Sequence, residues 1–515
     1  MKDKYIYLFW FISLLPLMIL RDFTPNNELR YLSIIDEALR NGNIFTFTNQ
    51  GEIYADKPPL HFWLMMLGRV ILGEHRMWYY SLLSVIPAFV IILTMTKWIR
   101  SEIKYNIMVA PLMLMTTGLF IGVTLVVRMD MLMNMFIILS LYSFYEIYNG
   151  KNIKFNRWLF PLYIFLALFS KGPYGLLIPL VSTISFLIFK KKLSDFTLYW
   201  GCRTLLVLLA GSILWFTGVY FEGGIEYLND LLVRQTVGRG INSFHHSEPF
   251  YYYLISIWYS LAFWAPLVLA VIFVSLKKKK IDSQLEQFFA ITILSTLVLL
   301  SLVSSKLAIY SLPVIPFLIY LSVLLLYKFD LQQKWLSFTV AFPAILMVMA
   351  LPALIYLSRT EELQYIGTVF IYISAAVLTI TGIISIYNIY LLKKTIKAIY
   401  TFSLGFLLAA FIAGWSMPSI NAYIGWKDVC LNAKEILEER KLDDYWVYKI
   451  SRAENMDVYL GKDIIKVNKE DVLNNQSKNK VLLINNKVIE TDKEINIALR
   501  DKEQHKIGKY IIVLL

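Results

Sequence analysis

Residues 287–327 read QFFAITILSTLVLLSLVSSKLAIYSLPVIPFLIYLSVLLLY, and a single charged side chain, Lys306, interrupts them. Each half, 287–304 and 307–327, is apolar enough to cross hydrocarbon as a helix, which takes roughly 17–25 residues. Lys277 to Lys280 precede the pair and Lys328 follows it. These residues specify two spanning helices, anchored by lysines on one side and turning at Lys306 on the other.

The same pattern extends along the chain. A first apolar run, Tyr5 to Leu20, follows Lys2 and Lys4. No small-residue cleavage site comes after it, so it reads as a retained span rather than a removed signal. Further runs lie near 77–97, 105–123, 130–149, 157–170, 172–190, 204–221, 250–275, 335–357, 365–391 and 398–418. That makes about thirteen transmembrane helices of spanning length. With the N-terminus inside, every loop assigned to the inner side is basic. These loops hold Lys97, Arg100 and Lys104; Lys151, Lys154 and Arg157; Lys190 to Lys192; Lys277 to Lys280; Lys328 and Lys334; and Lys393, Lys394 and Lys397. Charge and hydropathy are separate signals, and both give one topology, with the C-terminus outside.

Composition agrees. The 515 residues are 57% hydrophobic and 17% charged, with mean hydropathy +0.57. This excludes a disordered chain and a single water-soluble domain, which could not bury so much apolar surface. The net charge of +13 is explained by topogenic lysines and anionic lipid. No nucleic-acid recognition motif is present, so nucleic acid is not expected as a partner. Cys202 and Cys430 form neither a disulfide framework nor a zinc knuckle.

Two polar segments fall outside. Residues 21–76 contain amphipathic stretches at 28–41 and 58–73, expected to lie along the membrane surface; residues 222–249 form the second. From Trp426 charge becomes dense and no spanning run remains. Short strands are predicted at Tyr445–Ile450, Asp463–Val467, Lys480–Ile484 and Tyr510–Leu515. A helix is predicted at 427–440, with weaker helical signals near 453–460 and 469–473. The expected architecture is a polytopic α-helical membrane domain, 1–425, followed by a small outer α/β domain, 426–515.

Ionisable groups gather on the outer side: Glu28, Arg30 and Tyr31; Asp56 and Lys57; Arg128 and Asp130; Lys171; His245 and His246; Lys306 and Tyr310. Each has a bland explanation alone. An isolated lysine snorkels, Asp130 suits a helix N-terminus, and paired histidines usually lie on a surface. Cations and carboxylates converging on one face are better explained by a site. Lys and Arg suit a phosphate or pyrophosphate, and a carboxylate among them suits general base work. The tyrosines offer stacking faces for a sugar, although an interfacial aromatic belt explains them equally well.

The order Pro25-Asn-Asn-Glu-Leu-Arg-Tyr31, then Gly51-Glu-Ile-Tyr-Ala-Asp-Lys-Pro-Pro-Leu-His-Phe-Trp63, resembles the N-terminal signature of polyprenyl-phosphate-sugar-dependent glycosyltransferases of the GT-C fold. The relatives are lipid A aminoarabinose transferases and protein O-mannosyltransferases. Agreement continues through Arg128-Met129-Asp130, Lys171-Gly172-Pro173, His246-x-x-Pro249-Phe250-Tyr251-Tyr252 and Lys306-x-x-x-Tyr310-x-x-Pro313, covering about residues 1–320. The resemblance implies an inverting transfer at the outer face of the bacterial inner membrane. The donor is a sugar on undecaprenyl phosphate, and the acceptor is lipid A, a protein or an envelope glycan. It implies donor-phosphate or substrate binding by Arg30, Tyr31, Lys57, Arg128, Lys171, Lys306 and Tyr310. It also admits a divalent metal, zinc or magnesium, at Asp56 and His246, beside the plainer alternative of an Asp56–Lys57 neighbourhood and a surface His246 with no cofactor required.

One position departs from the resemblance. Family members usually carry Asp where this chain has Asn27, and that Asp is their candidate catalytic carboxylate. Three explanations stand: Asp130 carries the role, Glu28 substitutes, or the acceptor is already anionic and needs no base. Asp130 is the first candidate and Glu28 the second. The rival readings are a transporter or flippase for lipid-linked sugars, a ligase using a pyrophosphate-linked donor, and a membrane scaffold.

Overall fold

The computed structural model describes residues 3–103, 106–232, 248–474 and 479–515, the side chains of residues 361 and 362 excepted. Among the described residues, ten helices are long and apolar enough to cross a membrane. They account for ten of the thirteen expected runs. The other three are helical but not uninterrupted apolar spans. Run 105–123 is two short helices, Val109–Met115 and Gly118–Leu125. Thr116 and Thr117 make the break by turning their hydroxyls back onto Leu112 and Met113 carbonyls, and the Trp264 indole donates to Thr116 Oγ1 at 2.9 Å. Run 157–170 belongs to Ile153–Lys171, which begins with charged residues. Run 172–190 is the sixteen-residue helix Tyr174–Phe189.

The helical ends separate the charges as expected. At one end Lys328 bonds Asp282 and Glu286, while Lys280 donates to the Lys328 carbonyl at 2.6 Å. Glu286 opens helix Gln284–Leu302, and Lys306 lies just beyond its other end. Nineteen helical residues at 1.5 Å each put about 28 Å between the lysine-rich loops and Lys306. The helices pack through one continuous core running from Trp10 through Phe144, Trp264 and Phe317.

Above the Lys306 end lie the two amphipathic helices, Glu28–Asn41 and Leu60–Leu72. Both stop at glycines of positive φ, Gly42 and Gly73, where a left-handed residue satisfies the last carbonyls without Cβ strain. A two-stranded hairpin, Thr48–Asn49 with Glu52–Ile53, lies between them.

The C-terminal unit is a five-stranded sheet in the order Ile464–Lys466, Asp444–Tyr448, Lys480–Asn485, Tyr510–Leu514, Gln504–Ile507. The first three strands are parallel and the last two pair antiparallel. Helix Lys427–Arg440 matches its expected bounds. Strand Gln504–Ile507 and helices Asn486–Thr491 and Lys493–Leu499 go beyond the expected elements. The strand is a polar edge with no apolar run to betray it. The two helices are short, charged and started by caps at Asn485 and Asp492.

The unit is fastened to the membrane part. The Asp22 carboxylate accepts from the Trp426 and Lys427 amides at 3.0 and 2.9 Å and from the Tyr459 hydroxyl. Ser33 on helix Glu28–Asn41 donates to Asp457 at 2.9 Å. Leu29, Tyr31 and Phe62 from the two amphipathic helices share one core with Cys430, Tyr445 and Ile512 of the C-terminal unit.

Candidate active site

The site begins with two helix ends. Arg128 is extended (φ −147°, ψ 146°) and opens helix Met129–Tyr148, placing Asp130 in its first turn, where the helix dipole favours a carboxylate. Helix Ile153–Lys171 ends on Lys171, and the next residue, Gly172, has φ 109° and ψ −153°. That conformation belongs to glycine. It reverses the chain within the Lys-Gly-Pro motif, so helix Tyr174–Phe189 starts beside the lysine.

The two ends meet in an ion cluster. Asp130 is 1% exposed. Its Oδ2 accepts from Arg128 Nε at 2.9 Å, and its Oδ1 pairs with Lys171 Nζ. Lys171 Nζ also lies 4.6 Å from the centroid of the Tyr310 ring. Tyr310 packs on Tyr174 at 5.4 Å between centroids. Tyr253 donates to the Leu307 carbonyl at 3.4 Å, which ties the Lys306 loop to this wall. A buried charge needs partners of opposite sign, and Asp130 has two, yet each of its oxygens keeps a lone pair for another donor.

A second wall stands against the first. The Arg30 guanidinium lies over Tyr31 and Tyr54 at 5.7 and 5.5 Å. Tyr31 is 2% exposed and lies in the field of Arg128 and Asp130. Asn27 Oδ1 accepts from Arg30 Nη2 at 3.3 Å, so the position that departs from the family resemblance faces a site arginine. Behind Tyr31 lies His61, edge to face with it at 6.4 Å. Burial keeps this imidazole neutral and pushes its pKa down to about 4, against the pull of Asp130.

The structure thus brings Arg128, Asp130, Lys171 and Tyr310 into direct contact and sets Arg30 and Tyr31 beside them. The other sequence candidates have different settings. Lys306, 4% exposed, donates to the Glu248 carbonyl at 2.9 Å. Lys57 donates to the Asp56 carbonyl at 3.2 Å in the loop leading to His61. Glu28 forms a separate node. Its oxygens accept from Arg21 at 2.7 and 2.8 Å, from the Thr24 amide at 2.6 Å and from the Val127 amide at 2.6 Å. Those bonds fix helix Glu28–Asn41 against the strand-like residues before Arg128. Both oxygens of this carboxylate are thus engaged twice.

His246 lies outside the described residues. Among the described residues no group of three or more His, Cys, Asp or Glu could hold a metal. Of the two residues the resemblance offers to a metal, Asp56 is the one among the described residues. Sequence reasoning passed over Tyr174, Tyr54, Arg21 and His61. Tyr174 directly follows the Lys-Gly-Pro motif and was within reach of it. Arg21 directly follows the first apolar run and lies outside every quoted motif.

No protein-family profile matches the chain. An uncharacterized protein of Aquifex aeolicus is 28% identical over 296 residues, which span 56% of this chain and 57% of that protein's length. An undecaprenyl phosphate-alpha-4-amino-4-deoxy-L-arabinose arabinosyl transferase of Pseudomonas fluorescens is 23% identical over 446 residues, 83% of this chain and 76% of the relative. Among solved structures, ArnT from Cupriavidus metallidurans bound to undecaprenyl phosphate superposes with a TM-score of 0.76 at 15% identity, over 100% of this chain and 98% of that chain. The arabinosyltransferase EmbB from Mycobacterium smegmatis gives a TM-score of 0.50 at 12% identity, over 83% of this chain and 42% of that one. The likeness runs the length of the ArnT chain and establishes a shared fold, the GT-C architecture that the motif order implied.

Proposed function

We propose that this chain, which has the fold of ArnT and resembles such transferases in sequence, is a glycosyltransferase drawing on an undecaprenyl-phosphate-linked sugar. The transfer takes place at the outer face of the bacterial inner membrane, to an acceptor held in or at that membrane. The observation that carries this reading is the buried Asp130–Lys171–Arg128 cluster, walled by Tyr310, Tyr174 and Tyr31, at the ends of the helices opposite the lysine-rich loops. A flippase would place such groups near mid-span, and a scaffold would have no use for them.

In the reaction, an acceptor oxygen attacks the anomeric carbon while the carbon–oxygen bond to the carrier phosphate breaks. The bonding pair leaves on the polyprenyl phosphate, and attack from the opposite face inverts the sugar. Lys171 and Arg128 stabilise the charge developing on the leaving oxygen, and Arg30 offers two parallel donors to the same phosphate. As these cations turn toward the phosphate, their hold on Asp130 loosens. Its carboxylate becomes a stronger base for an acceptor hydroxyl, which must lose its proton; an acceptor that is already anionic, such as a lipid phosphate, has none to give up and needs no base. Glu28 does not compete for this role, since its oxygens are already committed to Arg21 and two backbone amides.

The first donor to offer is the one in the relatives' names, undecaprenyl phosphate carrying 4-amino-4-deoxy-L-arabinose; lipid A is the first acceptor, ahead of protein and glycan. Mass spectrometry of the envelope from a deletion strain and its parent tests the reading. One sugar is expected to vanish from one acceptor while the matching undecaprenyl-phosphate sugar accumulates. An unchanged set of envelope glycans and carriers would contradict it, and accumulation of a pyrophosphate-linked carrier would replace it with the ligase reading.

A further inference from the structure

A cavity of about 410 Å³ opens where the first spanning helix, the turn before helix Met77–Ile99 and the C-terminal unit meet. None of Arg128, Asp130, Lys171 and Tyr310 lines it. One part of its wall is apolar and lies at the ends of two spans. Ile19 sits in the last turn of helix Asp3–Leu20, and Trp78 in the first turn of helix Met77–Ile99. Both are exposed, and a tryptophan at a span end marks the level of the lipid headgroups. Leu431 and Val458 bring the C-terminal unit to the same space.

The rest of the wall is charged. Arg21, Arg69, Arg76 and Lys427 line it, against two carboxylates, Asp22 and Glu74. Asp22 is already spent: its oxygens accept from the Phe23, Trp426 and Lys427 amides and from the Tyr459 hydroxyl. Glu74 pairs with Arg76, but both side chains are more than half exposed, and such a pair is weak and readily exchanged. Glu28 and Asp36, which bind Arg21 and Arg69, are not on the wall.

Donors are left over. The two Nη atoms of Arg21 donate to Glu28 and to the Asp22 and Leu125 carbonyls. Its Nε is buried without a hydrogen-bond partner among the described residues, and a buried donor left unmade is costly. Lys427 lies in the field of Asp22, yet its ammonium makes no hydrogen bond among the described residues. An ammonium carries three donors and no acceptor. The cavity therefore pairs an excess of cationic donors with an apolar edge at headgroup depth.

We propose that this cavity binds the phosphate headgroup of a membrane lipid, its oxygens taken by Arg21, Arg76 and Lys427 and its acyl chains running past Ile19 and Trp78 into the bilayer. A phosphate brings acceptors only, which suits leftover cationic donors. A soluble phosphate would meet the same donors, but it has nothing to place against the apolar edge. The site stands apart from the Asp130 cluster and does not depend on the transferase reading.

Native mass spectrometry of the full chain in detergent tests this with three probes: phosphatidylglycerol, diacylglycerol and inorganic phosphate. The parent should hold phosphatidylglycerol at least about 10-fold more tightly than diacylglycerol, the scale of one hydrogen bond to a charged group. The double variant Arg76→Gln, Lys427→Gln should lose about 10-fold of that affinity. Both side chains are exposed, so the variant should fold. Lys393→Gln with Lys394→Gln removes equal charge from a lysine-rich loop at the opposite helix ends and should lose less than about 2-fold. Leu431→Trp narrows the cavity without changing charge; it should also weaken the lipid, and it repeats the test if the double variant is unstable. Equal lipid affinity in the parent and in the folded cavity variants would overturn the proposal. So would equal losses in both double variants, since net charge alone would then attract the lipid. Inorganic phosphate bound as tightly as phosphatidylglycerol, and lost in the same variants, would replace the lipid with a soluble phosphate.

Discussion

Glu28 and Asp130 are both 1% exposed and both bind an arginine, yet their other partners differ. Glu28 accepts from Arg21 and from the Thr24 and Val127 amides. Backbone donors cannot be lent to a substrate, so this carboxylate locks an outer helix to the loop before Arg128. Asp130 is held by side chains, Arg128 and Lys171, both of which can turn toward an arriving phosphate. Glu37 and Glu222 repeat the first pattern. Glu37 accepts from the Gln50 and Gly51 amides, and Glu222 takes the amides of Ile44, Phe45 and Thr46. Residues 28–53 are thus pinned by carboxylates on backbone amides, whereas Asp130, to which the proposed reaction gives the chemistry, is held by side-chain cations.

This contrast can be broken by substitution. The largest effect is expected from Asp130→Asn. Transfer should fall about 1,000-fold, within the range of general base catalysis, with membrane insertion and protein level intact. Next comes Glu28→Gln, which leaves Arg21 buried without its counter-charge. Stability should drop by about 3 kcal/mol, read as a lower unfolding temperature, while activity per folded molecule stays within a few-fold. Lys171→Ala should cost about 100-fold in kcat/KM, the scale of one electrostatic stabiliser, and equal activity in that variant would remove the lysine from the site.

The smallest effect concerns pH. Burial, opposed by the hydrogen bond from Ser33, raises the Asp457 pKa from 3.8 to about 6. The folded state thus binds the proton more tightly than the unfolded state. The cost of a charged Asp457 is fully present above about pH 6, shrinks as pH falls, and is gone below the ordinary carboxylate value. Asp457→Asn should therefore stabilise the C-terminal unit by up to about 3 kcal/mol at pH 8 and by under about 1 kcal/mol at pH 4, measured by hydrogen exchange of the Asp444–Tyr448 and Lys480–Asn485 strands. A gain that does not depend on pH would contradict the assignment.

How much of this was legible in the sequence follows from the reach of each signal. Spans were legible because hydropathy and loop charge are local and agree; Thr116 and Thr117 broke a run that hydropathy read through. Asp130, Arg128 and Lys171 were legible as a cluster because charges at span ends are costly and demand a reason. The role of Glu28 was not, since its decisive partner is the Val127 amide, 99 positions away, and an amide leaves no mark in composition. His61 was visible within its motif, but a lone histidine at the head of an apolar helix carries no sign of its burial. In the C-terminal unit, apolar strands such as Lys480–Asn485 were plain, whereas the polar strand Gln504–Ile507 takes its structure from its neighbour Tyr510–Leu514.

The most direct measurement is single-turnover transfer from undecaprenyl-phosphate-linked 4-amino-4-deoxy-L-arabinose in nanodiscs, comparing the parent, Asp130→Asn and Glu28→Gln per folded molecule. Release of undecaprenyl phosphate by the parent and by Glu28→Gln, with almost none from Asp130→Asn, is the expected result. Full release from Asp130→Asn alongside an inactive but folded Glu28→Gln would show that the frame and the chemistry had been assigned to the wrong carboxylates.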